Sequence, residues 1–83
     1  MYIMEELWFE GRTIIIKVHA IKQARRRGVS YPEQVRNVIK TGKVVRFGKK
    51  GIKFIKRSKN RSTICVGEYV GDVIAIKTIE RGN

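Results

Sequence analysis

The sequence predicts an α+β domain in which two short N-terminal helices pack on an antiparallel β-sheet of at least four strands. Three observations carry that reading. Helical spacing of apolar residues runs through residues 19–41. Ser30-Tyr31-Pro32-Glu33 spells a capping box, with a Ser hydroxyl to accept from the third helical N–H, a Glu to reach back, and Pro in the first turn. From Gly42 onward, β-branched residues alternate with polar ones between short Gly-containing turns. Helices first and sheet after make a layered structure.

Taken in order, Met1 to Phe9 fits both a helical stripe (Ile3, Met4, Leu7, Trp8) and a strand face (Tyr2, Met4, Glu6, Trp8), and the strand is preferred. Glu10-Gly11 reads as a turn, and Thr13 to Val18 as a largely buried strand. His19 to Arg27 reads as a helix with Ala20, Ile21 and Ala24 inward, closed by Gly28 in the left-handed conformation. The second helix buries Val35, Val38 and Ile39 and ends at Thr41-Gly42. Strands follow over Lys43 to Phe47, Ile52 to Arg57, Thr63 to Tyr69 and Val73 to Ile79, spaced as an antiparallel meander. Alternation places Ile52, Phe54, Ile64, Val66, Ile74 and Ile76 against the helices, with Lys53, Ile55 and Arg57 on the other face.

A chain of 83 residues, 42% hydrophobic, is expected to form one domain, residues 1–83, with a modest core. The single cysteine, Cys65, cannot form an internal disulfide or a cysteine-based zinc site. No apolar run approaches a membrane span, and the acidic start lacks the basic region of a signal peptide. A soluble cytoplasmic protein without membrane association is expected.

Charge is the strongest functional signal. Of 19 Lys and Arg residues, 17 lie between Gly11 and Gly67, where Glu33 is the one carboxylate. A positive field of that density repels itself until a polyanion neutralises it, and nucleic acid is the first such partner. Lys22, Arg25, Arg26, Lys49, Lys50, Lys53, Lys56, Arg57 and Arg61 are the expected phosphate contacts, with the run from Lys49 to Arg61 lining a hairpin and its next turn. Tyr31 and Tyr69 are candidate stacking surfaces for bases, whereas Phe47 and Phe54 read as core. The ordinary alternative is a solvated, solubilising surface.

The sequence contains no phosphate-binding glycine loop, no dinucleotide fingerprint, and no metal-ligand or Ser/His/Asp set. Neither a metal nor a cofactor is expected. His19 alone has an unperturbed pKa near neutrality, and Lys22, Arg25, Arg26 and Arg27 follow it closely. RNA cleavage needs a base for the 2′-hydroxyl, cations for the phosphoryl oxygens and an acid for the leaving oxygen, and a histidine among arginines supplies two of these types. His19 can equally be a first-turn residue bonded to backbone, and Arg27 a cation on terminal carbonyls.

His19-Ala20-Ile21, Arg27-Gly28-Val29-Ser30, a second helix ending at Gly42 and a closing strand Ile76-Lys77-Thr78-Ile79 resemble a family of small domains. Its pattern is His-Ala-x-x-Arg, an Arg-Gly-Ile/Val corner and a C-terminal strand bearing Thr. That family is similar to the barnase, EndoU, colicin and RelE superfamily, many of whose members are ribonuclease toxins. The resemblance spans Thr13 to Ile79. It implies a RelE-like fold and places His19, Arg27 and Thr78 at catalytic positions. Gln23 stands where the pattern has Arg, which removes one expected phosphate-binding cation.

The resulting expectation is an RNA-directed protein: a metal-independent endoribonuclease of toxin type, or a decayed relative of one. The alternatives are a nucleic-acid-binding module without turnover, and a basic protein that docks an acidic partner such as an antitoxin.

Overall fold

Strands form where β-branched residues lie between residues that accept left-handed backbone. Glu10 and Gly11 (φ 52° and 78°), Gly48 (61°), Lys59 (52°) and Gly71 (57°) supply the reversals. The computed structural model describes residues 7–82. Between those turns run β1 (Leu7–Phe9), β2 (Arg12–Ile16), β3 (Lys43–Phe47), β4 (Gly51–Ser58), β5 (Arg61–Val70) and β6 (Val73–Gly82), with α1 (Val18–Arg26) and α2 (Glu33–Thr41) inserted after β2. The part of the N-terminal strand reading that falls on residues 1–6 lies outside the described residues. No helix among those described is long and apolar enough to cross a membrane.

The expectation of N-terminal helices on an antiparallel RelE-like sheet is overturned, although the class remains α+β. A hairpin of β1 and β2 precedes α1, and all six strands share one curled, half-barrel sheet in the order β1-β2-β6-β5-β4-β3. β2 runs parallel to β6, with Ile14 beside Ile74 and Ile16 beside Ile76. This pairing brings Ile14-Ile15-Ile16 beside the equally apolar start of β6, but of the three only Ile14 is buried. Ile15 is 46% exposed and Val18, 66% exposed, begins α1, so the expected largely buried strand from Thr13 to Val18 is one-sided and ends at Ile16. About sixty residues of chain separate β2 from β6, so no local signal announces the contact.

Strand register decides which side chains meet the helices. Ile52 and Phe54 point inward as expected, but β5 pairs Cys65 with Phe54 and Ile79, so Thr63, Cys65 and Gly67 face the helices. Ile64 and Val66, expected in the core, lie half-buried on the opposite face. Space explains the choice. α2 lies over β4 and β5, and a Cβ at Gly67 would sit 2.6 Å from the Ala75 carbonyl oxygen and 2.9 Å from Ile76 Cδ1. Those crowding atoms belong to β6, so the inner face of β5 admits only glycine at that position. Phe47 is a further correction: it is 42% exposed on the outer face, with Lys53 Nζ 5.2 Å from its ring centroid.

The sheet curls far enough for its edges to interact. In a flat sheet β1 and β4 would be roughly 19 Å apart, four strand spacings. Instead the Phe9 and Phe54 rings meet edge to face with centroids 5.1 Å apart. Arg46 of β3 ion-pairs with Glu10 at 2.7 Å and donates from Nε to the Tyr69 hydroxyl at 3.0 Å. The face carrying Phe9, Ile52, Phe54, Ile74 and Ile76 is therefore concave, and α2 contributes Val35, Val38 and Ile39 to the core within it.

Local signals fix the helix ends unevenly. Gly28 (φ 74°) ends α1 as read from the sequence: Val29 N–H donates to the Ala24 carbonyl at 2.8 Å and Gly28 N–H to that of Arg25 at 3.3 Å, a Schellman closure sealed by buried Val29. The capping box at Ser30 does not form. The first helical residue is Glu33, so the side chain one position later does the reaching, and Gln34 Oε1 accepts from Ser30 N–H at 3.1 Å.

Two measurements check this packing. Phe54→Ala should lower unfolding free energy by about 3–5 kcal/mol and Ile64→Ala by about 1 kcal/mol, read by urea denaturation, since only the first empties a closed site. Burial pushes the Cys65 thiol up to about 12. At pH 8 its alkylation should therefore be roughly a thousandfold slower than that of a free cysteine, until denaturant exposes it.

Candidate nucleic-acid interface

β6 is longer than its parallel partner. β2 ends at Ile16, opposite Ile76, leaving the backbone of β6 beyond that point without a strand on one side. A bulge intervenes: Gly67 pairs with Ile76 and Val66 with Thr78, so Lys77 is the extra residue. α1 covers the open edge. Lys17 N–H donates to the Ile76 carbonyl at 3.0 Å, Gln23 Oε1 accepts from Ile79 N–H at 3.1 Å, and Arg27 Nη1 donates to the Ile79 carbonyl at 3.3 Å. His19, Gln23 and Arg27 are four residues apart in turn and so share one flank of the helix. Gln23 thus completes the hydrogen bonding of β6, a role unrelated to phosphate charge.

This docking brings the end of α1 to the end of β6. Arg81 continues the inward alternation past Ile79, pairs with Thr63, and donates from Nη1 to the Gly28 carbonyl at 2.6 Å and more weakly to that of Arg27 at 3.5 Å. A helix C-terminus attracts a guanidinium there. Arg81 Nε is buried and has no hydrogen-bond partner. Arg27, Arg61, Arg81 and Gly82 line a pocket of about 270 Å³. No carboxylate lines it among the described residues.

The two ends of the sheet differ in charge: one mixes carboxylates with cations, Lys49 and Lys50 included, and the other is mainly basic. The turns carrying Glu10 and Asp72 lie at one end, with Glu68 paired to Lys77 at 3.0 Å; that ammonium holds the Glu68 carboxyl below its usual range. The cleft there, which includes Trp8, Glu10, Arg12 and Asp72, carries both signs. The other end gathers the last turn of α1 (Arg25, Arg26), Arg27, the tip of the β4–β5 hairpin (Arg57, Lys59, Arg61) and Arg81. Lys56 joins it in a row with Thr63 and Arg81. Glu33 and Glu80 are the carboxylates nearest this end in the chain's path.

The expected contacts therefore fall into two groups. Lys22, Arg25, Arg26, Lys56, Arg57 and Arg61 lie on α1 or at the basic end. Lys49 and Lys50 occupy the β3–β4 turn, roughly 23 Å away along β4, and Lys53 lies on the outer face. The run from Lys49 to Arg61 is not one surface, because a strand separates its halves. Tyr69 is engaged by Arg46 and lies under Arg12, whose guanidinium carbon is 5.0 Å from its ring centroid; Tyr31 packs against the core. Of the three residues placed at catalytic positions, Arg27 reaches the backbone next to Thr78, whereas the Thr78 side chain lies on the outer face in register with Val66. His19 is exposed at the start of α1, eight residues and about 12 Å along the axis from Arg27. Arg81 escaped the sequence reading, though extending the alternation of Ile79 by two residues would have found it.

No family model, curated protein or solved structure matches this chain.

The role of Gln23 is directly testable. Gln23→Ala should cost about 1–3 kcal/mol in a denaturation experiment, because it strands Ile79 N–H. Gln23→Glu keeps an acceptor and should recover most of that loss.

Proposed function

We propose that the protein binds nucleic acid, single-stranded RNA foremost, through the basic end formed by the α1 C-terminus, the β4–β5 hairpin and the end of β6. The observation that carries this reading is the pocket lined by Arg27, Arg61 and Arg81 without a neutralising carboxylate among the described residues. Arg25, Arg26, Arg57 and Lys59 extend the positive field around it. Guanidiniums suit phosphate oxygens because their donors lie in a planar fork. Contacts of this kind hold the backbone without reading sequence. Binding is preferred to turnover because His19 stands about 12 Å along the helix from Arg27 and at the other end of α1.

Fluorescence anisotropy with a labelled RNA strand, repeated from low to moderate salt, provides the test. Five phosphate contacts would give a slope of log K against log salt of roughly −3 to −5. Replacing Arg57 and Lys59 together by Ala should make the slope shallower by about one to two units, at ~0.7–0.9 per lost contact. The same change at Lys49 and Lys50, on the opposite end, should leave it unaltered. Equal effects from both pairs would remove the basic end as the interface, and absence of binding at low salt would remove the function.

A further inference from the structure

We propose that the pocket between Arg27, Arg61 and Arg81 holds a terminal phosphate, the phosphomonoester at one end of a nucleic-acid strand. The strand in this inference rests on the nucleic-acid reading above, while the phosphate rests on the pocket alone.

Charge is the first argument. Three arginines line about 270 Å³ with no carboxylate among the described lining residues. An internal phosphodiester brings one negative charge, whereas a phosphomonoester carries about −1.5 to −2 near neutral pH and presents three acceptor oxygens. The doubly charged group matches the cavity better.

Donor geometry is the second. Arg81 uses Nη1 on the Gly28 carbonyl, and Arg27 uses Nη1 on that of Ile79. Both guanidiniums are thereby held in place before any ligand arrives, which lowers the ordering cost of binding. For Arg81 these bonds leave the edge formed by Nε and Nη2, the pair of parallel donors that grips two oxygens of one anion. Nε on that edge is buried and unsatisfied. Nε has almost no accessible surface, so an anion in the pocket meets Nη2 first and bonds Nε only if the guanidinium turns outward. Arg61, exposed at the start of β5, contributes a third cation from a separate element.

Location is the third. The pocket lies where α1, the β4–β5 hairpin and β6 all end, so a strand anchored by its terminus can leave past Arg25 and Arg26 or past Arg57 and Lys59.

The experiment has two arms. In one, inorganic phosphate is titrated into ¹⁵N-labelled protein and the arginine Nε–H signals are followed. The Arg81 signal should move, and Arg61→Ala, an exposed change, should weaken the response at least several-fold. In the other arm, three RNA oligonucleotides of one sequence, bearing a 5′-phosphate, a 3′-phosphate or hydroxyls at both ends, are compared by anisotropy. One phosphorylated form should bind at least tenfold tighter than the hydroxyl form, and the ratio should fall towards one in Arg61→Ala and in Arg81→Lys. Thermal denaturation monitored by circular dichroism verifies that both variants fold.

Equal binding of all three oligonucleotides would overturn the terminal-phosphate assignment and leave nucleic-acid binding standing. An Arg81 signal indifferent to phosphate would overturn the pocket itself. Movement of that signal without RNA binding of any kind would keep the phosphate pocket, with free phosphate or a small phosphomonoester as its ligand, and overturn the nucleic-acid reading.

Discussion

The exposed edge of β6 is the constraint from which most of this structure follows. A ten-residue strand with a short parallel neighbour leaves backbone groups that must be paired or hydrated. The chain resolves this with α1 and its two caps: the Lys17 amide just before the helix meets Ile76, and Gln23 together with Arg27 just after the helix meets Ile79. That docking fixes the direction of α1 and delivers its C-terminal carbonyls to Arg81. The basic pocket thus follows from edge coverage: Arg27 is held by its bond to the β6 edge, and Arg81 by its bonds to the carbonyls at the end of α1.

Curvature is the second constraint. Phe9 on Phe54 and Arg46 on Glu10 close the sheet across strands that would be far apart if flat. α2 adds its apolar face to the core of the resulting trough, and the inward residues of β5 are small beneath it. Large β-branched residues of β5 consequently face out, where Ile64 and Val66 lie half-buried beside Ile55 and Thr78. The Arg46 cluster has its own electrostatic trace, since its bonds to Tyr69 and Glu10 stabilise the charged guanidinium and raise its pKa. Exposed ion pairs of this sort add little to stability, so the aromatic contact carries most of the closure.

The sorting of charge changes how the composition is read. A net charge of +12 is a property of composition and designates no particular surface. Folding places Glu10, Glu68 and Asp72 at one end and most arginines of α1 and the β4–β5 hairpin at the other. Such separation strengthens the field at the basic end, because distance weakens neutralisation by those three carboxylates there and leaves Glu33 and Glu80 as the nearest opposing charges. The helix motif beginning at His19 acquires a structural meaning alongside any chemical one. Its fourth following residue, Gln23, supplies an acceptor to the strand, and its eighth, Arg27, a donor.

Local physics was legible in the sequence. The left-handed reversals at Gly28 and Gly71, the apolar stripe Val35-Val38-Ile39 and the position of every strand after Gly42 follow from glycine's freedom and from side-chain period, which neighbouring residues alone determine. Arg25, Arg26, Arg27, Arg57 and Arg61 were visible as cations for the same reason. What only the tertiary structure decided depends on residues far apart in the chain. The parallel pairing of β2 with β6, the face on which β5 turns its large residues, the capture of the β6 edge by Gln23 and the meeting of Arg27, Arg61 and Arg81 are settled by register and curvature. A one-residue choice of register turns a whole strand over, and composition is unchanged by that choice; the fold alone distinguishes the two outcomes.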